Sequence, residues 1–230
     1  MFYTESIGTT YKSASEINTA MAGVYKNMSL AVLVSMAVSY MVGNSPELMQ
    51  FFFTGFMKWV TIFLPLVAII GVSILLNASP TRGMALACLH GFAALMGLSF
   101  ATIFVVYQMG SIFTAFMGAA VLFGVMSFYG YFTKNNLDSV GRFMFVGLIA
   151  IIIASVINIF IGSSLFAMVI SALAIIIFLG LTAYDTQKIR EMVSYDTDTG
   201  VAEVSGALTL YLDFINIFLS LLQLFGVKKE

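Results

Sequence analysis

Apolar residues in this chain run in long unbroken stretches, not in the alternating or three-to-four-residue patterns of soluble strands and helices. Seven stretches, at 24–42, 53–76, 84–107, 112–132, 143–161, 165–186 and 204–227, have about the 20 residues a helix needs to cross a hydrocarbon core. Short segments separate them, among them "NSPEL", "NASPTRG", "YQMGS", "TKNNLDSVGR" and "IGSS", whose Pro, Gly, Asn and Ser are turn formers. Only the connection "EMVSYDTDTGVAE" is longer. The pattern predicts an all-α membrane protein: a polar cytosolic tail over 1–23, one seven-helix transmembrane domain over 24–227 and a short charged C-terminus over 228–230. The tail holds Glu5, Lys12 and Glu16 without the apolar core of a signal peptide.

Composition agrees: 60% of residues are hydrophobic and 9% charged, against roughly 25% charged in an ordinary soluble domain. The ten basic residues are scattered, which gives no sign of a nucleic-acid partner. Cys88 is the single cysteine, so no disulfide closes within the chain. With the N-terminus cytosolic, Lys12, Lys26, Arg82, Lys134, Arg142, Lys188 and Arg190 share the cytosolic side and Lys58 lies outside, as the positive-inside rule asks. Lys228 and Lys229 break this bias if the seventh helix spans fully; re-entry of that helix is the alternative. A multi-pass membrane protein with a cytosolic N-terminus is expected.

Association inside a bilayer relies on small residues that let backbones approach. The third helix carries two such rows, Gly83, Ala87, Gly91 and Ala93, Gly97, Ala101, and is expected to pack tightly. Pro65, midway along the second helix, favours a kink. The seventh helix is the most polar. Thr209, Asp213, Asn216, Ser220 and Gln223 recur at spacings of four, three, four and three, so they form one stripe. Such a stripe cannot face lipid, which makes this helix central in the bundle. For Asn216, Ser220 and Gln223 the bland role, hydrogen-bonding glue between helices, is favoured.

Asp213 is different, because glue needs no ionisable group. It lies about 12 Å from the cytosolic end of its helix at about 1.5 Å per residue, and Asp185 lies near the cytosolic end of the sixth. Antiparallel neighbours would bring both carboxyl groups into one apolar region, where two negative charges cannot both persist cheaply. The pair is expected to share a proton, the arrangement of a proton-sensitive switch.

The stretches "GLTAYDTQKI" and "GALTLYLDFINIFLSLLQLFG", with "VMSFYGYFTK" upstream, resemble the C-terminal signature of the Bax inhibitor-1 family, the transmembrane Bax inhibitor motif proteins, in particular its bacterial branch. The likeness covers most of the chain from the third helix onward. It implies seven helices with the last one central, a calcium leak that depends on pH, and a bacterial inner (plasma) membrane as the location. Matched by motif, the proton-sensing and gating pair of the family corresponds to Asp185 in "YDTQ" and Asp213 in "LYLDF". The chain departs from relatives that place an arginine at the cytosolic end of the second helix and an acid within it. Here Arg82, beyond Pro80, is the only candidate latch and no acid lies between Trp59 and Leu76; Arg82 is read chiefly as a marker of the cytosolic boundary.

Calcium fits the chemistry as a transported ion, since Asp185, Asp213 and Asn216 offer the oxygens it takes. Six or more oxygens are not clustered, so transient passage is expected over tight storage, and no cofactor is expected. Bilayer lipid, calcium and protons are the expected partners. A second reading is a membrane-embedded regulator that binds a protease or a death-regulating membrane protein through "SYDTDTG" and the tail. A third, an intramembrane aspartyl protease, is disfavoured: "LYLD" replaces the Gly-x-Gly-Asp of those enzymes and no Pro follows Pro80. The chain is therefore not expected to be an enzyme. His90, without a second His or Cys at ligand spacing, reads as a core residue.

Overall fold

The structure, a computed structural model, describes residues 12–78, 80–195 and 199–229. Among these residues the chain forms nine helices: α1 (Ala14–Gly43), α2 (Pro46–Phe53), α3 (Gly55–Asn77), α4 (Arg82–Ser99), α5 (Ala101–Val106), α6 (Met109–Phe132), α7 (Asp138–Ile161), α8 (Ser164–Tyr195) and α9 (Thr199–Phe225). Seven segments are long and apolar enough to cross a membrane, with α4 and α5 counting as one and α2 as none. The protein is a multi-pass, all-α membrane protein. Successive spans alternate in direction, so Arg82, Lys134 and the end of α8 share one end, while Lys58, Tyr107 and Gly162 share the other.

Several boundaries correct the sequence reading. The polar segment expected over 1–23 is helical from Ala14, because Ser13 and Glu16 form a reciprocal capping box that satisfies first-turn N–H groups. Residues 1–11 lie outside the described residues. Ile17, Ala20 and Met21 are already buried, so this first stretch of α1 belongs to the bundle. "NSPEL" is not a simple turn: Ser45 caps α2 and Pro46 occupies its first turn, where a missing N–H costs nothing. The connection expected over "EMVSYDTDTGVAE" is largely helical on both sides, with 196–198 outside the described residues.

The last helix does not re-enter. It runs through from Thr199 to Phe225, after which Val227 to Lys229 pair antiparallel with the end of α5: Gln108 N–H donates to Val227 O at 3.0 Å and Lys229 N–H to Val106 O at 2.9 Å. Lys228 and Lys229 therefore sit at the Lys58 end, opposite the other basic residues.

α9 is the most buried span. It packs on α8, α1, α6 and α4, whereas α3 leans mainly on α4 and α7 on α8. Close backbone approach comes from selected glycines only. A methyl at Gly97 would lie 2.5 Å from Ser35 O, and one at Gly130 would collide with Ala183 O, so α4 meets α1 and α6 meets α8 almost backbone to backbone. The row Ala93, Gly97, Ala101 thus packs as expected. The row Gly83, Ala87, Gly91 does not: both glycines face open space and Ala87 is exposed, in keeping with the lipid side.

Pro65 lies inside α3 and points inward. Its missing N–H frees the carbonyl four residues earlier, that of Thr61. The Ser99 hydroxyl of α4 donates to Thr61 O at 2.6 Å, and the Thr61 hydroxyl donates to Phe52 O at 3.0 Å. A neighbouring helix thereby satisfies the backbone group that proline orphans, and this point of α3 is tied to α4.

Candidate functional site: a buried carboxyl pair

α8 and α9 are antiparallel neighbours and the most extensively packed pair in the bundle. They bring Asp185 and Asp213 together, as the sequence pattern requires. Asp213 is 4% exposed and Asp185 half-buried; their carboxyl groups meet side chain to side chain. Two ionised carboxylates are both acceptors, so such a contact is a hydrogen bond only if one carries a proton. No described donor relieves the site: Asp213 Oδ2 is buried without a hydrogen-bond partner. The described ion pairs, Arg82 with Glu203 and Lys188 with Asp138 and Glu191, all leave this pair uncompensated. Among the described residues no third His, Cys, Asp or Glu gathers with them as a metal-holding group.

A run of hydroxyls on three helices leads to the residue next to Asp185 in sequence. Tyr25 of α1 and Ser127 of α6 share a hydrogen bond of 2.7 Å, and Ser127 and Thr186 of α8 share one of 2.9 Å. Thr186 follows Asp185 in sequence, so a chain of three hydroxyls runs from α1 to the residue beside the pair. Tyr25 and Ser127 also line a cavity with Asn18 and Tyr131 toward the Arg82 end of α1 and α6. Sequence reasoning missed all three hydroxyls; "VMSFYGYFTK" contains Ser127 and its neighbour Phe128, yet nothing in one helix says which hydroxyl meets which.

The rest of the polar stripe is used differently from its expected role. Thr209 donates to Ser205 O at 3.2 Å and Asn216 Nδ2 to Leu212 O at 2.8 Å, both within α9. The Asn216 amide thus donates to its own helix, and no hydrogen bond among the described residues joins it to another. Ser220 is buried, and Gln223, near the C-terminal end of α9, is exposed. A fully buried link of α9 to its neighbours comes from a residue off the stripe: Tyr211 OH and Ser35 Oγ lie 2.7 Å apart, and Ser35 Oγ also donates to Ala93 O at 2.9 Å, joining α9, α1 and α4 at one point.

Arg82 does not reach the carboxyl pair. It pairs at 3.0 Å with Glu203 in the second turn of α9, a residue the sequence reading placed in a loop. Glu203 is buried although Arg82 is largely exposed. Gly23 of α1 makes the space: a methyl there would lie 2.6 Å from Glu203 Oε2. Any latch formed by Arg82 therefore fastens α4 to α9 at the membrane boundary. His90 remains apart from the site, with Nδ1 buried and unpartnered among the described residues.

Residues 17–230 match the family model described as inhibitor of apoptosis-promoting Bax1. Among curated proteins the chain is 37% identical over 218 residues to the inner membrane protein YbhL of Escherichia coli K12, covering 93% of each chain. It is 34% identical over 223 residues to an uncharacterized protein of Deinococcus radiodurans, covering 94% of each, and 34% identical over 238 residues to the Rickettsia prowazekii protein RP147, covering 99% of each. The agreement runs through every spanning helix, and the chain belongs to the Bax inhibitor-1 family of multi-pass membrane proteins.

Proposed function

We propose that this protein is a pH-sensitive calcium-leak channel or transporter in which Asp185 and Asp213 form a proton-sharing gate. The observation that carries the reading is the pairing of a buried carboxyl on the most buried helix with a second carboxyl, neither of them in an ion pair with a cation among the described residues. A structural role alone does not call for two acids there, since either could be replaced by a neutral side chain at lower desolvation cost. With one proton the pair holds α8 to α9 by a short hydrogen bond. Without it, two negative charges repel and offer oxygens to a hard cation, which is the substrate here and not a resident metal. The hydroxyl chain through Tyr25, Ser127 and Thr186 ends one residue from Asp185 in sequence, and a proton that reached the carboxyl pair from it would still have to cross from Thr186 to Asp185, which point in different directions from the helix. The same reading keeps the N-terminus cytosolic and the protein in a bacterial inner membrane, supported by the basic residues at that end and by the likeness to the Escherichia coli inner membrane protein YbhL.

Calcium flux into liposomes reconstituted with purified protein tests this. Wild-type flux is expected to change between about pH 6 and pH 8, where a shared carboxyl proton exchanges. Asp213→Asn is expected to abolish that dependence while leaving the protein folded. Flux by Asp213→Asn that follows pH as the wild type does would sink the gate, and no flux above empty liposomes at any pH would sink the transport activity.

A further inference from the structure

Away from the carboxyl pair, a cavity of 530 Å³ lies between α1, α5 and α6, with Phe214, Ile215 and Phe218 of α9 as its floor. Its volume falls within the about 300–1,000 Å³ of small-molecule sites. Its rim carries exposed apolar side chains, among them Met36 and Phe113, so it opens toward hydrocarbon and is entered from the bilayer. Ser35, Ser39 and Tyr40 interrupt the apolar lining, and the Ser35 hydroxyl is already satisfied by α1, α4 and α9. Ser39 lines the cavity, is 3% exposed, and its Oγ is buried without a hydrogen-bond partner. That is unusual within a helix, where a serine hydroxyl ordinarily bonds the carbonyl four residues earlier; Ser35, one turn before, does so with Ala31 O at 3.0 Å. An orphaned buried hydroxyl is costly unless something accepts from it.

Depth and charge identify the acceptor. Ser39 lies four residues before the end of α1, about 6 Å from it at about 1.5 Å per residue, the depth at which acyl chains meet their ester groups. The same rim is where the C-terminal segment folds back. Lys229 Nζ donates to Phe104 O at 2.7 Å, and Phe104 lines the cavity; Lys228, paired with Tyr107, is exposed beside it. These two lysines run against the positive-inside bias, so orientation does not account for them. We propose that this cavity binds one anionic phospholipid of the leaflet at the Lys58 end: an acyl chain fills the apolar space, its ester carbonyl accepts from Ser39, and its phosphate lies against Lys228 and Lys229. The site is separate from the carboxyl pair and stands or falls without it.

The test uses the purified, delipidated full chain in detergent, titrated with phosphatidylglycerol or with phosphatidylcholine and read by native mass spectrometry. One phosphatidylglycerol per chain is expected, preferred about tenfold or more over phosphatidylcholine, as two lysines near a headgroup would give. Lys228→Gln should narrow that preference. Ser39→Ala, too small a change to disturb folding, should weaken binding about fivefold through the lost hydrogen bond. Ile103→Trp, which fills the cavity, should abolish binding in a protein that still elutes as a single species. Equal binding of the two lipids, or phosphatidylglycerol binding unchanged in both Ser39→Ala and Ile103→Trp, overturns the proposal.

Discussion

α7 and α9 are both membrane-crossing helices of ordinary length, and they are opposites. α7 is the most apolar span and the least buried; α9 is among the less apolar and the most buried. In a soluble protein the correlation runs the other way, because water punishes exposed apolar surface. In a bilayer, lipid accepts apolar side chains as readily as protein does, so hydropathy reports contact with lipid and polarity reports contact with protein. On α7 only Gly141 and Ile151 are buried, and Ile159 and Phe160 in its last turn stand out from the bundle, largely exposed. On α9 even Tyr211 is fully enclosed, its hydroxyl shared with α1.

Glycine substitutions test the contrast most strongly. In α9 a methyl at Gly206 would meet Ile189 Cγ2 at 2.6 Å, on the branched and immobile part of that side chain. Gly206→Ala is expected to destabilise by about 1–3 kcal/mol, the usual cost of overpacking. In α7 a methyl at Gly147 meets Ile177 Cδ1 at 3.0 Å, the far end of a side chain that can turn aside. Gly147→Ala is expected to be neutral or slightly stabilising, since alanine is the better helix former. Thermal unfolding of the two variants in detergent measures the difference; equal losses would erase the distinction between the two helices.

A smaller effect is expected from polar linkage. Tyr211→Phe removes the hydrogen bond to Ser35 Oγ, while Ser35 keeps its acceptors at Ala31 and Ala93. The expected loss is about 0.6–1.7 kcal/mol, the range of such bonds between membrane helices. Phe160→Leu on the lipid face of α7 is expected to stay within about 0.5 kcal/mol. A larger loss from Phe160→Leu than from Tyr211→Phe in the same unfolding assay would place the stabilising contacts on the wrong helix.

The seven spans were legible because length and apolarity alone define a crossing helix, and Asp213 was legible because a lone acid has so few explanations in hydrocarbon. Two boundary errors had signals that went unread: "SASE" at Ser13 to Glu16 is a capping box, and Ser45 followed by Pro46 is a helix start. Other features had none. Arg82 and Glu203 are 121 residues apart, and Tyr25 and Ser127 are 102 apart; which residue on one helix face meets which on another is decided by rotation and tilt, and period alone does not set either. The stripe on α9 is buried only at Asp213 and Ser220; Thr209 and Asn216 are half-buried and turn back on their own backbone, Gln223 is exposed, and Tyr211, off the stripe, links α9 to α1.

The central claim is that one proton is shared in the α8–α9 interface, and infrared spectroscopy of the reconstituted protein reads it directly through the C=O stretch of protonated carboxyl groups. At neutral pH the wild type is expected to show a protonated-carboxyl band from a site shielded from water, and Asp213→Asn is expected to lose it, because a single remaining acid beside an amide has no carboxylate with which to share a proton. Identical spectra for the wild type and Asp213→Asn across the pH range would contradict the account.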